Sequence, residues 1–257
     1  MMMRAQGVSR AIVAGWALSL TAWATGAPVA GQGTWETTLQ ARDVNHDGVA
    51  DAYYDTSLNI TWLADAFADG PPPGFDPGRP IIYWLEAHDW ARDTNLFGVT
   101  GWRLPTVIND PLATSPSTRT CPSSTLDGSP HSLCGYNSDP TQSELAHMYY
   151  VTLGNKAPLG TDGLPQAGAG LTNTGPFSRL MPITYWTNTE HLPGDFYWSF
   201  RMDLGQQNVS DPFGAGVRGV WVVHDGDIAA VPEPTVSMLT VSAGLILLAW
   251  RRRRSRI

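Results

Sequence analysis

Between residues 32 and 230 the apolar positions come in short runs broken by Gly, Pro, Ser and Thr, and only two stretches keep a helical period. Over residues 83–96, Trp84, Ala87 and Ala91 recur at the spacing of one helix face. The second stretch opens with Thr141-Gln142-Ser143-Glu144, which fits a capping box: Thr141 accepts from the Glu144 N–H while Glu144 reaches back. Leu145, Met148, Tyr149 and Thr152 then share a face, and Gly154 supplies a stop. Strands are predicted over residues 37–41, 60–63, 184–188, 196–203 and 219–224. In the clearest of them Phe196, Trp198, Phe200 and Met202 should point inward, and Tyr197, Ser199, Arg201 and Asp203 outward. No internal repeat and no long linker divides residues 32–230. The pattern predicts one α+β domain with short strands, two main helices and long loops.

Composition narrows the class. The chain has 257 residues, of which 15% are charged and 11 are Trp. Helical bundles and coiled coils need periodic Ala, Leu, Glu and Lys, so they are excluded. So many large aromatics also supply the apolar surface that a disordered chain lacks.

Two segments stand outside this domain. Residues 1–27 have the layout of a secretory signal, with Arg4 and Arg10 before an apolar run and small residues at Ala22 and Ala24. At the other end, Pro232-Glu233-Pro234 precedes an uncharged sixteen-residue stretch, 235–250, and then Arg251–Arg254 and Arg256. As a helix that stretch would span roughly 24 Å, short of a hydrocarbon core of about 30 Å, so Arg251 must snorkel or the bilayer thin locally. The arginines predict a cytoplasmic end for this membrane segment. Motif, apolar helix and arginine cluster together resemble the PEP-CTERM sorting signal over residues 231–257. The resemblance implies that an exosortase, a membrane-embedded cysteine transpeptidase, recognises Pro232, Glu233 and Pro234. Membrane anchoring would then be transient, and the product would pass to the cell surface or exopolysaccharide. Without both ends the remaining net charge is about −13, with no basic stripe for nucleic acid.

Candidate chemistry is sparse. Asp43-Val44-Asn45-His46-Asp47-Gly48-Val49-Ala50-Asp51 matches the first nine positions of an EF-hand calcium loop, with Asp43, Asn45, Asp47 and Asp51 as ligands. Position twelve is Tyr54 rather than Glu, and an Asx-rich turn is the competing reading. Cys121 and Cys134 lie in a Ser/Thr/Pro/Gly-rich loop, 108–140. In an exported chain they most simply form one disulfide, the alternative being free thiols in a reduced precursor. The six histidines form no zinc-type pair, and no G-x-S-x-G elbow occurs. The G-x-G-x-x-G run at 214–219 precedes a predicted strand, which is the wrong context for a phosphate.

A second resemblance rests on Tyr54-Asp55, Ile60-Thr61-Trp62-Leu63-Ala64-Asp65-Ala66, Gly101-Trp102-Arg103-Leu104-Pro105-Thr106, Ser143-Glu144-Leu145-Ala146-His147, Tyr185-Trp186-Thr187-Asn188-Thr189-Glu190 and Val220-Trp221-Val222-Val223. Residues 50–228 resemble the C-terminal domain of the collagen-like adhesin Lcl, held to be similar to the C-type-lectin-like and formylglycine-generating-enzyme folds. The resemblance implies a non-enzymatic, lectin-like adhesion or matrix module. The tripeptides by which C-type lectins bind calcium and sugar, Glu-Pro-Asn, Gln-Pro-Asp and Trp-Asn-Asp, do not occur. Read from its own residues, Gly101–Thr106 is structural: Trp102 and Leu104 bury, and Arg103 forks onto a carboxylate or loop carbonyls.

Long loops carry recognition in such folds, here 70–80, 108–140 and 156–179. Tyr136, Asn137, Asp139, Trp186, Asn188 and Glu190 are the expected glycan-binding groups, with Trp186 in the core as the competing expectation. A polysaccharide-acting enzyme with opposed carboxylates and a passive structural coat protein are the alternatives to a lectin-like module.

Overall fold

The computed structural model describes residues 27–67, 83–108, 135–191, 196–214 and 218–229. The signal, the sorting tail, both cysteines and the 70–80 loop lie outside the described residues, as does most of the 108–140 loop. Among the described residues no helix is long and apolar enough to cross a membrane.

The architecture is α+β, dominated by strands. After a single turn, α1 (Trp35–Thr38), come β1 (Leu39–Arg42), β2 (Ala52–Asp55), β3 (Ile60–Leu63), α2 (Trp84–Asp93) and β4 (Trp102–Arg103). A short α3 (Glu144–His147) runs into a π-helical turn, Met148–Thr152. Then follow β5 (Thr184–His191), β6 (Phe196–Arg201), β7 (Gln206–Ser210), β8 (Arg218–Gly219) and β9 (Val223–Asp225). One antiparallel sheet has the order β1-β2-β3-β9-β4 and the other β7-β6-β5-β8, in which only β5 and β8 run parallel.

Tryptophan fills the core. Trp62, Trp102, Trp186 and Trp221 are buried, and Trp221 lies 4.5 Å from Trp62 and 4.8 Å from Phe177 between ring centroids. Buried indoles need an acceptor. Trp221 donates to the Leu63 carbonyl at 2.9 Å and Trp102 to Val99 at 3.0 Å, whereas the buried Nε1 atoms of Trp62 and Trp198 have no partner.

The segment 220–222 was expected to lie inside one strand over 219–224. It instead carries the chain from β8 in one sheet to β9 in the other. Val220, Trp221 and Val222 are all buried, and the Val222 carbonyl accepts from Leu63 N–H. A continuous apolar run therefore marks a bridge between sheets here, not a long central strand.

Other expectations shift by a few residues. The strand at 37–41 begins at Leu39, because Thr37 and Thr38 direct N–H and hydroxyl back to the Thr34 carbonyl and close a helical turn. The helix at 83–96 ends at Asp93. In β6, Trp198 and Phe200 are buried as predicted, but so is Ser199, which shares a hydrogen bond with Ser210 at 2.8 Å. Phe196 is 45% exposed rather than inward.

The fold also includes residues before Gln32. The buried Asn173 amide accepts from Val29 N–H at 2.9 Å and donates to the Gln32 carbonyl at 3.0 Å. Ala27 forms a parallel bridge with Asn173. Gly33 has φ +74°, and a Cβ there would strike the Thr152 carbonyl, so this close approach requires glycine.

Candidate functional site

The six residues expected to bind a glycan do not assemble around one opening. Tyr136 is buried beside Ala157 and Leu159, bridging to Gln206 on the β7 side. Trp186 is buried in β5, three strand spacings away, or about 14 Å. Neither ring presents a face to solvent, so the core expectation for Trp186 holds and sugar stacking on these two rings is excluded as they stand. Asn137 has φ +53° and donates to the Leu159 carbonyl at 2.8 Å. Asp139 accepts from the Thr141 N–H and hydroxyl, both at 2.8 Å, and those bonds hold its carboxyl below the usual range. Asn188 donates its backbone N–H to the Pro105 carbonyl at 2.7 Å. Glu190 is exposed near the far end of β5, beyond an irregularity in the β5–β6 register.

The four residues of the proposed calcium loop do converge, but on the loop itself. Asp43 accepts from the Asp47 and Gly48 N–H groups, and Asp51 from Val44 and Asn45. The Asn45 side-chain nitrogen lies between Asp47 and Asp51, 3.1 and 3.2 Å from their oxygens. His46 and Gly48 take positive φ to close the turn. Among the described residues no group of three or more His, Cys, Asp or Glu side chains is placed to hold a metal ion. The carboxylates and the Asn45 oxygen are suitable calcium donors, but Asn45 must first turn its nitrogen out of the centre.

Arg103 is the best-anchored charge. Its guanidinium forks onto both Glu144 oxygens at 2.9 and 2.8 Å and reaches Asp225 at 2.6 Å. Burial disfavours the charge, but the Glu144 and Asp225 carboxylates outweigh that and raise its pKa. Glu144 also accepts from Thr106 N–H, so the anticipated capping box does not form. Ser143 is the cap, its hydroxyl accepting from Ala146 N–H and donating to Gln207. The Gly101–Thr106 segment is thus a structural clasp, as its residues imply.

One contact with catalytic potential escaped the sequence pattern, because its members are 90 positions apart. The Ser57 hydroxyl lies 3.1 Å from His147 Nε2 and 2.5 Å from the buried Asp55. Nucleophile and base distance alone would suggest acyl transfer. Here the hydroxyl proton is directed to the Asp55 carboxylate, which also accepts from Ser57 N–H. Ser57 therefore accepts from His147 and is not activated by it. The relay ties the β2–β3 turn to α3.

The exposed apolar surface lies elsewhere. The Trp84 ring is sandwiched between Tyr197, with centroids 3.5 Å apart, and His88 at 4.8 Å. Its indole N–H donates to the Thr187 carbonyl at 2.7 Å. Beside this stack, Tyr83 and Phe213 stand 6.3 Å apart, and Phe213 and Leu85 are 74% and 56% exposed. The Trp84 N–H bonds the Pro212 carbonyl and fixes the start of α2 to the 211–214 turn. A rigid support thus holds an aromatic strip open to solvent. Trp84 gave a helix-face signal in the sequence; Phe213 gave none, being a single aromatic in a polar turn. Comparison with protein-family models, curated proteins and solved structures finds no match to this chain.

Proposed function

We propose that this is an exported surface or extracellular-matrix protein whose folded body is a lectin-like module that adheres to polysaccharide. The signal-like residues 1–27 would direct export, and an exosortase would process the tail at Pro232-Glu233-Pro234. The observation that carries the binding half is the aromatic pair of Tyr83 and the exposed Phe213, held in place beside the Trp84 stack. Sugar rings present an apolar C–H face that stacks on such surfaces. A water-exposed patch of this kind marks an interaction site rather than a core.

Fractionation of expressing cells tests both halves. The parent chain should appear trimmed in the extracellular polymer fraction, and Glu233→Ala should remain larger and in the membrane fraction. Identical distribution of the two would remove the sorting half. A processed parent that stays in solution when the polymer is pelleted, with or without calcium, would remove the binding half.

A further inference from the structure

We propose that a clamp on residues 227–229 sets how fast the tail is processed, by holding the Pro232-Glu233-Pro234 motif close to the folded body until the clamp opens. The inference rests on the sorting reading above and adds its regulation. The chain's exit from the fold is tied twice. The Arg42 guanidinium, from β1, forks onto both Asp227 oxygens at 2.6 and 2.7 Å, and the same carboxylate accepts from the Ala229 N–H at 2.8 Å. Between them Ile228 is buried in the core. Arg42 is itself held, since it donates to the Ala41 carbonyl and the Gln40 side chain and lies over the Tyr54 ring at 5.3 Å. One residue before the clamp, Gly226 donates its N–H to the Asn59 carbonyl, and its own carbonyl accepts from the Thr61 hydroxyl. An ion pair whose side chains are 16% and 34% exposed contributes little to the whole fold. Placed at the exit, it decides where the free chain starts.

Reach makes that start matter. Pro232 is three positions beyond Ala229, so with the clamp closed the motif extends at most about 10 Å from its last anchor. A body of about 200 residues has a radius of gyration of about 16 Å, and residues 235–250, once in the bilayer, would draw that body onto the headgroup layer. A membrane-embedded peptidase must take the residues on both sides of the cut clear of this bulk. In that step its thiolate displaces the amine side of the cut bond, which leaves with a proton, and water or an acceptor amine then takes the acyl group. When 227–229 lift off, the last anchor moves back to Gly226 and the reach to Pro232 doubles to about 20 Å. Withdrawing Ile228 and parting the ion pair keep that open state rare. Where opening and closing are fast, cleavage follows the population of the open state. Weakening the clamp thus speeds processing while leaving the fold in place.

Pulse-chase of the full chain in exporting cells that carry an exosortase, following loss of the larger form, tests this. Arg42→Gln and Asp227→Asn should each shorten its half-time about fivefold, the scale of one partly buried ion pair. Inserting Gly-Ser-Gly-Ser between Ala230 and Val231 should do the same without touching the body, and should abolish any further gain from Arg42→Gln. Asp93→Asn, which gives up an exposed ion pair on α2, should leave the half-time unchanged. The parent's half-time in both clamp variants, or in the spacer variant, would overturn the clamp. So would equal acceleration by Asp93→Asn, or additive acceleration by Arg42→Gln and the spacer. In each of these cases trimming persists and the sorting reading stands. A chain trimmed in no variant, the spacer variant included, would remove the sorting reading and the clamp with it.

Discussion

At the scale of single residues, Arg103 shows how burial decides what a charge contributes. Both of its carboxylate partners lie within 3 Å, yet Glu144 is largely buried and the Asp225 side chain is 77% exposed. Replacing Glu144 by Gln removes the buried counter-charge and turns one of its two accepting oxygens into an NH2 group, which faces a guanidinium N–H and costs at least one bond. Glu144→Gln should therefore cost about 2–3 kcal/mol, somewhat below the range for a fully buried pair. Asp225→Asn should cost under ~1 kcal/mol, as for exposed pairs. Urea denaturation of both variants measures the difference, and equal losses would show that burial is not what separates them. That Arg103 would fork onto a carboxylate or loop carbonyls was readable from its place between two apolar residues that had to bury. Its partner, 41 positions away, was not. Local pattern had assigned Glu144 to its own helix, and a strong charge pair across the fold outcompeted a capping bond of about 1 kcal/mol.

At the scale of elements, periodicity succeeded where one face of an element meets one environment. Residues 60–63 form a strand because all four side chains are buried there in an apolar, β-branched context. Leu145, Met148, Tyr149 and Thr152 are all buried, though the helix widens into a π turn after one α turn. The two-residue strands β4 and β8 have no periodicity to detect, and their pairing follows from tertiary contacts alone. The start of α3 offers a direct test of local pattern against tertiary context. Ser143 caps the helix and also satisfies the buried Gln207 side chain, whereas the exposed Thr141 hydroxyl bonds only its near neighbours Asp139 and Gln142. Ser143→Ala should cost about 2 kcal/mol, one part from the lost cap and the rest from an unsatisfied amide oxygen. Thr141→Val should change stability by less than ~0.5 kcal/mol. Thermal melts of the pair decide between them: the capping-box pattern alone would predict the reverse order.

At the scale of the whole molecule, the aromatic core sets where the fold fails with pH. Tyr149, Tyr150 and Tyr185 are held by bonds to the Lys156 carbonyl, the Gly205 carbonyl and the Met181 N–H respectively. Burial raises all three pKa values well above the ordinary tyrosine range. A raised folded-state pKa means that the stability these groups contribute is fully present below the unfolded value of about 10. It is lost as pH rises toward the folded values, because the unfolded chain releases protons that the native one retains. On the acid side, Arg42 holds the Asp227 carboxyl below its usual range. Its contribution is present above about pH 4 and fades as pH falls through the lowered value, but the pair is partly exposed and the effect is correspondingly small. Stability should therefore form a plateau through neutral pH with a gentle acid shoulder and a steep alkaline edge above about pH 10. Tyrosinate absorbance and near-ultraviolet circular dichroism, followed together against pH, read this directly. The more exposed of the eight tyrosines should ionise first with the dichroism intact, and Tyr149, Tyr150 and Tyr185, with the buried Tyr136, only as the tertiary signal collapses. Smooth ionisation of every tyrosine before any loss of dichroism would mean that these rings are accessible to water, and that the core does not close around them as described.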